Sequence, residues 1–146
     1  MAIAPERHKR IFGEDFVYPS KKLVWQLRTN SIKIPAGELE NRLKEKCKSI
    51  DKIEWCDAFI VESEVNLSKS LEHVLGYFFL QNLSSMIPPL ILQPSGDDRI
   101  LDLAAAPGAK TTQMAAMMNN KGTIVANDIT DARLKALRGN LQRCGV

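Results

Sequence analysis

Apolar positions in the first half of the chain recur at intervals that suit strands and short helices. Lys22-Leu-Val-Trp-Gln-Leu27 alternates weakly and predicts a strand. Leu39 and Leu43 lie four residues apart among alternating charges, which predicts a helix over Glu38–Lys48 with Pro35 near its start. Glu54 to Val61, carrying Trp55, Phe59, Ile60 and Val61, predicts one short strand or two, and Ser68–Leu75 a short helix stopped by Gly76. Tyr77-Phe-Phe-Leu80 is aromatic and strand-like. Ser84 or Ser85 is expected to cap a helical turn through Met86 that Pro88-Pro89 would limit, and Pro94-Ser-Gly-Asp97 reads as a turn. Beyond that turn the period changes to strand, loop, helix, strand, helix. Met114, Met117 and Met118 share one helix face, read as core; Leu134, Leu137, Leu141 and Cys144 share another, capped by Thr130 or Asp131 and stopped by Gly145. The first twenty residues show little periodicity, and His8 among them carries no expectation of order; His73 is read as structural. The pattern predicts an α/β chain: a small α+β accessory domain over residues 1–76, then the opening βαβα part of a parallel sheet over 77–146, with a third strand expected beyond Val146.

Composition narrows the class. With 45% hydrophobic and 25% charged residues the chain has the makings of a globular core. No apolar run approaches the roughly 18 residues of a membrane span, and the N-terminus has no apolar stretch of the secretory kind. Cys47, Cys56 and Cys144 are odd in number and without Cys-x-x-Cys spacing, so neither a disulfide framework nor a zinc site is expected, and a cytoplasmic compartment is. Charge is uneven. Residues 1–50 hold eleven Lys/Arg against six Asp/Glu, 51–100 three against eight, and 101–146 six against three. A basic first third suits a polyanion such as RNA; a solvated surface is the plain alternative.

The chemistry concentrates in Ala104, Ala105, Ala106, Pro107, Gly108, Ala109 and Lys110, which follow the strand Ile100–Leu103 and precede a helix. Small side chains let backbone N–H groups approach a ligand, and a helix start adds unpaired donors and a positive dipole end. The spacing is neither Gly-x-Gly-x-x-Gly nor a Walker loop, which favours an amino-acid carboxylate over a pyrophosphate. Asp128 ends the next strand, where Rossmann-like sheets place a carboxylate on ribose hydroxyls; an ordinary helix cap is the alternative. Arg133, one turn into the following helix, is within reach of the same pocket or is a surface charge, and Lys110 is likewise a contact or a solvated helix-start lysine. Asp102 is read as a structural carboxylate pinning loop N–H groups, with a cofactor contact as the alternative, and Gly108 as serving at least a tight turn.

Leu101-Asp-Leu-Ala-Ala-Ala-Pro-Gly-Ala-Lys-Thr-Thr112 resembles motif I of the RNA cytosine-5 methyltransferases of the Sun/Fmu type, usually Asp-Leu-Cys-Ala-Ala-Pro-Gly-Gly-Lys-Thr. Gly122-Thr-Ile-Val-Ala-Asn-Asp-Ile129 with Arg133, Leu137, Asn140, Arg143 and Gly145 resembles the family's second strand and helix. Tyr77 to Pro89 resembles its Gln-Asp-x-Ser-Ser-Met-x-Pro segment, and Leu27-Arg-Thr-Asn-Ser-Ile-Lys33 its Arg-x-Asn-x-x-Lys stretch. The resemblance implies S-adenosylmethionine as methyl donor and a cytosine of tRNA or rRNA as acceptor. By position it implies that Ala104–Lys110 line the methionine end of the cofactor, that Asp128 holds the ribose, and that Arg133 neighbours it. Ala104 stands where the family has Cys, Ala109 where it has a second Gly, so Ala109 must avoid positive φ, and Asn82 where it has Asp. The family's nucleophilic cysteine lies in Pro-Cys and Thr-Cys motifs that this sequence does not contain, so no catalytic residue is assigned, the nucleophile is expected beyond Val146, and the polypeptide alone is expected to be inactive and prone to self-association. The alternatives are a methyltransferase of another substrate class and a non-catalytic RNA-binding module of the same fold.

Overall fold

A computed structural model describes residues 24–146. The weakly patterned lead-in, His8, Lys22 and Leu23 lie outside the described residues. Strand β1 (Val24–Thr29) is the spine of an antiparallel sheet ordered β2-β3-β1-β4, with β2 Ser49–Ile53, β3 Ala58–Glu62 and β4 Phe78–Leu80. Register sets Leu27 opposite both Phe59 and Leu80, so one face gathers Leu27, Phe59, Val61 and Phe78. Helix α1 (Ala36–Lys44) lays Leu39 and Leu43 onto that face, and Ile34 and Leu67 close it. Each such side chain contributes about 1.5–3 kcal/mol by leaving water.

Two expectations shift here. The helix stops at Lys44 rather than Lys48, because the Lys48 N–H is taken by Glu62 O (2.8 Å) as the chain enters β2. Trp55 is not in a strand: pairing of Ile53 with Ala58 leaves residues 54–57 as the hairpin turn, with Trp55 half exposed. After a 3₁₀ turn (Leu67–Lys69), helix α2 (Leu71–Val74) is capped by Ser70, so the short helix begins later than Ser68, and Gly76 (φ +74°) lies just past its end as the pattern predicts. A side chain at Gly76 would collide with the Arg143 carbonyl.

Helix α3 (Leu83–Leu92) departs furthest from expectation. Pro88 and Pro89 lie inside it instead of ending it, and neither serine caps it; Asn82 is the N-cap, without a side-chain bond. A proline supplies no N–H to the carbonyl one turn back. Here Gln81 Nε2 donates to Ser85 O (3.2 Å), the carbonyl that Pro89 cannot serve. Gln113 Nε2 donates to Met86 O in the same turn (2.9 Å).

The second sheet is parallel: β5 (Arg99–Asp102) pairs with β6 (Thr123–Ala126), joined by α4 (Ala109–Met117) and followed by α5 (Asp131–Cys144). This is the α/β architecture with a βαβα second half that the pattern predicts. Met114 and Met118 are buried and Met117 half-buried, while Leu137 and Cys144 anchor α5. Thr130 caps α5 through the Arg133 N–H, and Gly145 (φ +81°) ends it. The division at residues 76/77 falls just ahead of β4, which pairs with β1, so the two sheets part after Leu80.

The sheets are stitched together by polar side chains. Asn30 Nδ2 donates to Gly76 O and to Cys144 O, both at 2.8 Å. Lys33 Nζ donates to Leu75 O (2.9 Å) and Arg143 O (2.7 Å). Arg143 returns the contact, donating to His73 O (2.8 Å) and Phe78 O (3.2 Å) while its guanidinium lies over the Phe79 ring.

Candidate functional site

Both parallel strands end at the same edge, where the loop after β5 meets the loop after β6, the usual place for a ligand in such a sheet. Ala105 N–H bonds Asn127 O (2.9 Å), and Asn127 N–H bonds Asp102 O (2.8 Å), which extends the contact beyond the ladder. The loop then turns sharply. Gly108 N–H donates to Ala105 O (2.7 Å), the Ala106–Pro107 peptide is cis, and Gly108 has φ +104°. A Cβ at Gly108 would sit 3.0 Å from Leu137 Cδ1, so α5 presses directly on the loop and the glycine serves both the turn and the close approach. The next residue, Ala109, is the first of α4 and has ordinary helical φ, so the family's second glycine is not needed there. Gly108 is the N-cap and offers no side-chain cap, so the first N–H groups of α4 are left to a ligand or water.

Asp128 is buried among the loop's own donors. Oδ2 accepts from Ala106 N–H (2.9 Å), and Oδ1 from Ile129 N–H (2.8 Å) and Arg133 Nε (2.9 Å). Arg133 Nη2 also donates to Ala106 O (3.0 Å), so Asp128 and Arg133 hold the N–H and the carbonyl of one loop residue, Ala106. Asn140 Nδ2 adds a third hold, on Pro107 O (2.8 Å). The pinning of a loop N–H, expected of Asp102, falls to Asp128. Asp102 instead accepts the Thr111 hydroxyl (2.7 Å).

The structure brings every residue of the candidate set to this edge. Ala104, Pro107 and Lys110 are exposed there; Ala105, Ala106 and Gly108 are buried beneath; Ala109 is half-buried. Lys110 also borders a groove of about 410 Å³ lined by Leu101, Leu103, Pro89 and Met114. The three cysteines are not brought together. Burial pushes the thiols of Cys47, Cys56 and Cys144 above their ordinary range, which makes none of them a ready thiolate. Among the described residues no cluster of His, Cys, Asp and Glu has the makings of a metal centre, and no helix is long and apolar enough to cross a membrane.

Sequence reasoning missed a buried polar network behind the loop. Arg28, almost fully buried, donates to Gln81 Oε1 (3.0 Å) and Thr112 Oγ1 (2.8 Å). Gln81 Nε2 in turn donates to Gln113 Oε1 (2.9 Å). Burial lowers the Arg28 pKa to about 10. The available signal was two glutamines at otherwise apolar positions, one before α3 and one on the methionine face of α4.

Comparison with known proteins bears on the same residues. Residues 89–146 match the family described as 16S rRNA methyltransferase RsmB/F. Ribosomal RNA small subunit methyltransferase F of Shewanella woodyi is 41% identical over 153 aligned positions, covering 99% of this chain and 32% of the relative. The protein of that name from Vibrio atlanticus is 43% identical over 132 positions, covering 86% and 28%. The chain therefore spans about a third of the length of these curated relatives. A methyltransferase homologue from Pyrococcus horikoshii superposes with a TM-score of 0.79 at 35% identity, over 86% of this chain and 42% of that one. NSun6 from the same organism shares the fold (TM-score 0.78, 21% identity, 97% and 62% coverage).

Proposed function

The chain belongs to the RsmB/F methyltransferase family, and from that premise we propose that it forms the S-adenosylmethionine site of an enzyme making 5-methylcytosine in ribosomal RNA. The observation that carries the reading is the loop Ala104–Lys110, held open against an uncapped helix start at the shared edge of two parallel strands. Uncapped N–H groups and the dipole of α4 suit the carboxylate of the cofactor's amino-acid end, with the Lys110 cation alongside. Asp128 Oδ2 accepts one bond from the loop and keeps acceptor capacity for a ribose hydroxyl, and Arg133 orients the carboxylate that would receive it. When bound, S-adenosylmethionine supplies the electrophilic methyl group. The protein's part is to fix the loop beforehand, which it does through Asp128, Arg133 and Asn140. The attacking thiolate demanded by cytosine chemistry is assigned to none of Cys47, Cys56 and Cys144, whose burial favours the neutral thiol.

The names of the relatives favour ribosomal RNA over tRNA as substrate, and the work would be cytoplasmic. The accessory region ahead of the loop is assigned to RNA positioning through its basic first part, residues 1–50, with eleven Lys/Arg against six Asp/Glu. Titration calorimetry with S-adenosylhomocysteine tests the cofactor reading. Saturable binding is expected, weakened by about tenfold or more in D128A, since charge-assisted bonds to the loop are worth ~1.5–3 kcal/mol. A folded chain that gives no binding heat overturns it.

A further inference from the structure

We propose that Arg28 is a positioning residue for the cofactor loop, acting from the antiparallel sheet through the Thr112 hydroxyl on the first turn of α4. The proposal rests on the S-adenosylmethionine reading of that loop. Arg28 is 4% exposed, and among the described residues its hydrogen bonds all go to neutral acceptors: Gln81 Oε1, Thr112 Oγ1 and, at 3.5 Å, Thr29 O. Burying a cation without a carboxylate partner is unfavourable, and an apolar side chain could fill the same space. What an apolar residue would not supply is directed donors aimed at two segments far apart in sequence.

The Thr112 hydroxyl is the junction. It has one proton and two lone pairs. It accepts from Arg28 Nη2 at 2.8 Å and donates to Ala109 O at 3.2 Å, while its own amide donates to Gly108 O at 2.9 Å. The guanidinium is therefore two bonds away from the carbonyls of the two residues at which loop becomes helix. The preceding residue, Thr111, is tied to β5 through Asp102 (2.7 Å), so the first turn is held by two threonines anchored in different sheets. Gln81 and Gln113 carry the same network on to Met86 O, so α3 and α4 are fixed relative to one sheet strand. A ligand bound by backbone N–H groups needs those groups placed to about 0.5 Å, and a turn freed on one side loses that placement.

The test compares five variants of the full chain by S-adenosylhomocysteine calorimetry, thermal melting and amide hydrogen exchange. T112V, which keeps shape and removes the hydroxyl, is expected to bind about tenfold more weakly, whereas T112S, which restores the hydroxyl, binds within about twofold of the parent. R28Q weakens binding to a similar degree, and the R28Q/T112V double variant is no weaker than either alone, the mark of one shared interaction. K33M removes a different link between the sheets and is expected to lower Tm without changing affinity. Amides of residues 109–112 exchange faster in T112V and R28Q but not in K33M. Unchanged affinity in T112V, or an equal loss in K33M, overturns the proposal. If the parent chain binds no S-adenosylhomocysteine, the functional reading fails, and exchange alone then judges the link: faster exchange at 109–112 supports it, and unchanged exchange refutes it.

Discussion

The antiparallel and parallel sheets secure their residues by different means. Around β1 the core is apolar and closed, with Leu27, Leu39, Leu43, Phe59, Val61 and Phe78 all inaccessible to water. Beneath the loop after β5 the buried apolar cluster is small, Ala105, Ala106 and Leu137, and although α4 and α5 also bury Met114, Met118 and Cys144, Leu101, Leu103 and Val125 are each more than half exposed. The loop between the parallel strands is held chiefly by polar clamps, from Asp128, Arg133, Asn140 and the Arg28 network. Small residues and directed hydrogen bonds keep a backbone in place while leaving its donors reachable; a closed apolar core would cover them. Stability and ligand chemistry are thus drawn from opposite halves of the chain.

The contrast is open to direct attack. Its largest consequence is in the first core: Phe59→Ala is expected to cost about 3–5 kcal/mol in urea unfolding, against clearly less for Leu137→Ala beside the loop. Equal losses would break the distinction. Next comes Gly108→Val, which forces a branched side chain to φ +104° and against Leu137 Cδ1. It is expected to cost about 1–3 kcal/mol and to abolish S-adenosylhomocysteine binding, while leaving the fluorescence of Trp25 and Trp55, both in the other half, unaltered at low temperature. The smallest effect is one of pH. Burial, and after it the Arg143 charge, lowers the pKa of His73 below its ordinary value of 6.5. The unfolded chain therefore binds this proton more readily, so stability is full above about pH 6.5 and declines as pH falls towards the lowered folded value. Tm is expected to drop over that window, and His73→Gln to flatten the drop; a profile that His73→Gln leaves unchanged assigns the titration to another group.

Much of the parallel half was legible because its elements are locally determined. Thr130, Gly145 and the spacing of Leu134, Leu137 and Leu141 define α5 without tertiary help, and the small-residue loop is visible as composition alone. The antiparallel half was less legible where pairing overrides pattern: Trp55 is strand-like by type but falls in a turn because Ile53 pairs with Ala58. The proline-bearing helix was missed because its repair lies elsewhere. Gln81 supplies Ser85 O with the donor that Pro89 lacks, and Gln113 ties Met86 O to α4 from 27 residues away, which no short window around Pro88-Pro89 shows. The site divides the same way. Asp128, expected to end the strand, lies two residues past β6, which stops at Ala126, and its attachment to Ala106 N–H depends on how the loop folds back. Arg28 was visible as part of a family-like stretch and silent as to purpose, since its partner Thr112 stands 84 residues away.

The stretch from Arg28 to Lys33 has a bearing on how freely the two halves could be exchanged between related proteins. Asn30 and Lys33 donate to main-chain oxygens, those of Leu75, Gly76, Arg143 and Cys144. Across to the parallel half these two links meet only the carbonyls of Cys144 and Arg143 and so do not depend on side-chain identity: any α5 that ends at the same point offers the same oxygens. Arg28 alone requires particular side chains, a hydroxyl at Thr112 and an amide at Gln81. A chimera joining this antiparallel sheet to a foreign parallel half would therefore keep the Asn30 and Lys33 links whatever the foreign sequence, whereas the Arg28 link would need a hydroxyl at position 112 and the return link an arginine at position 143.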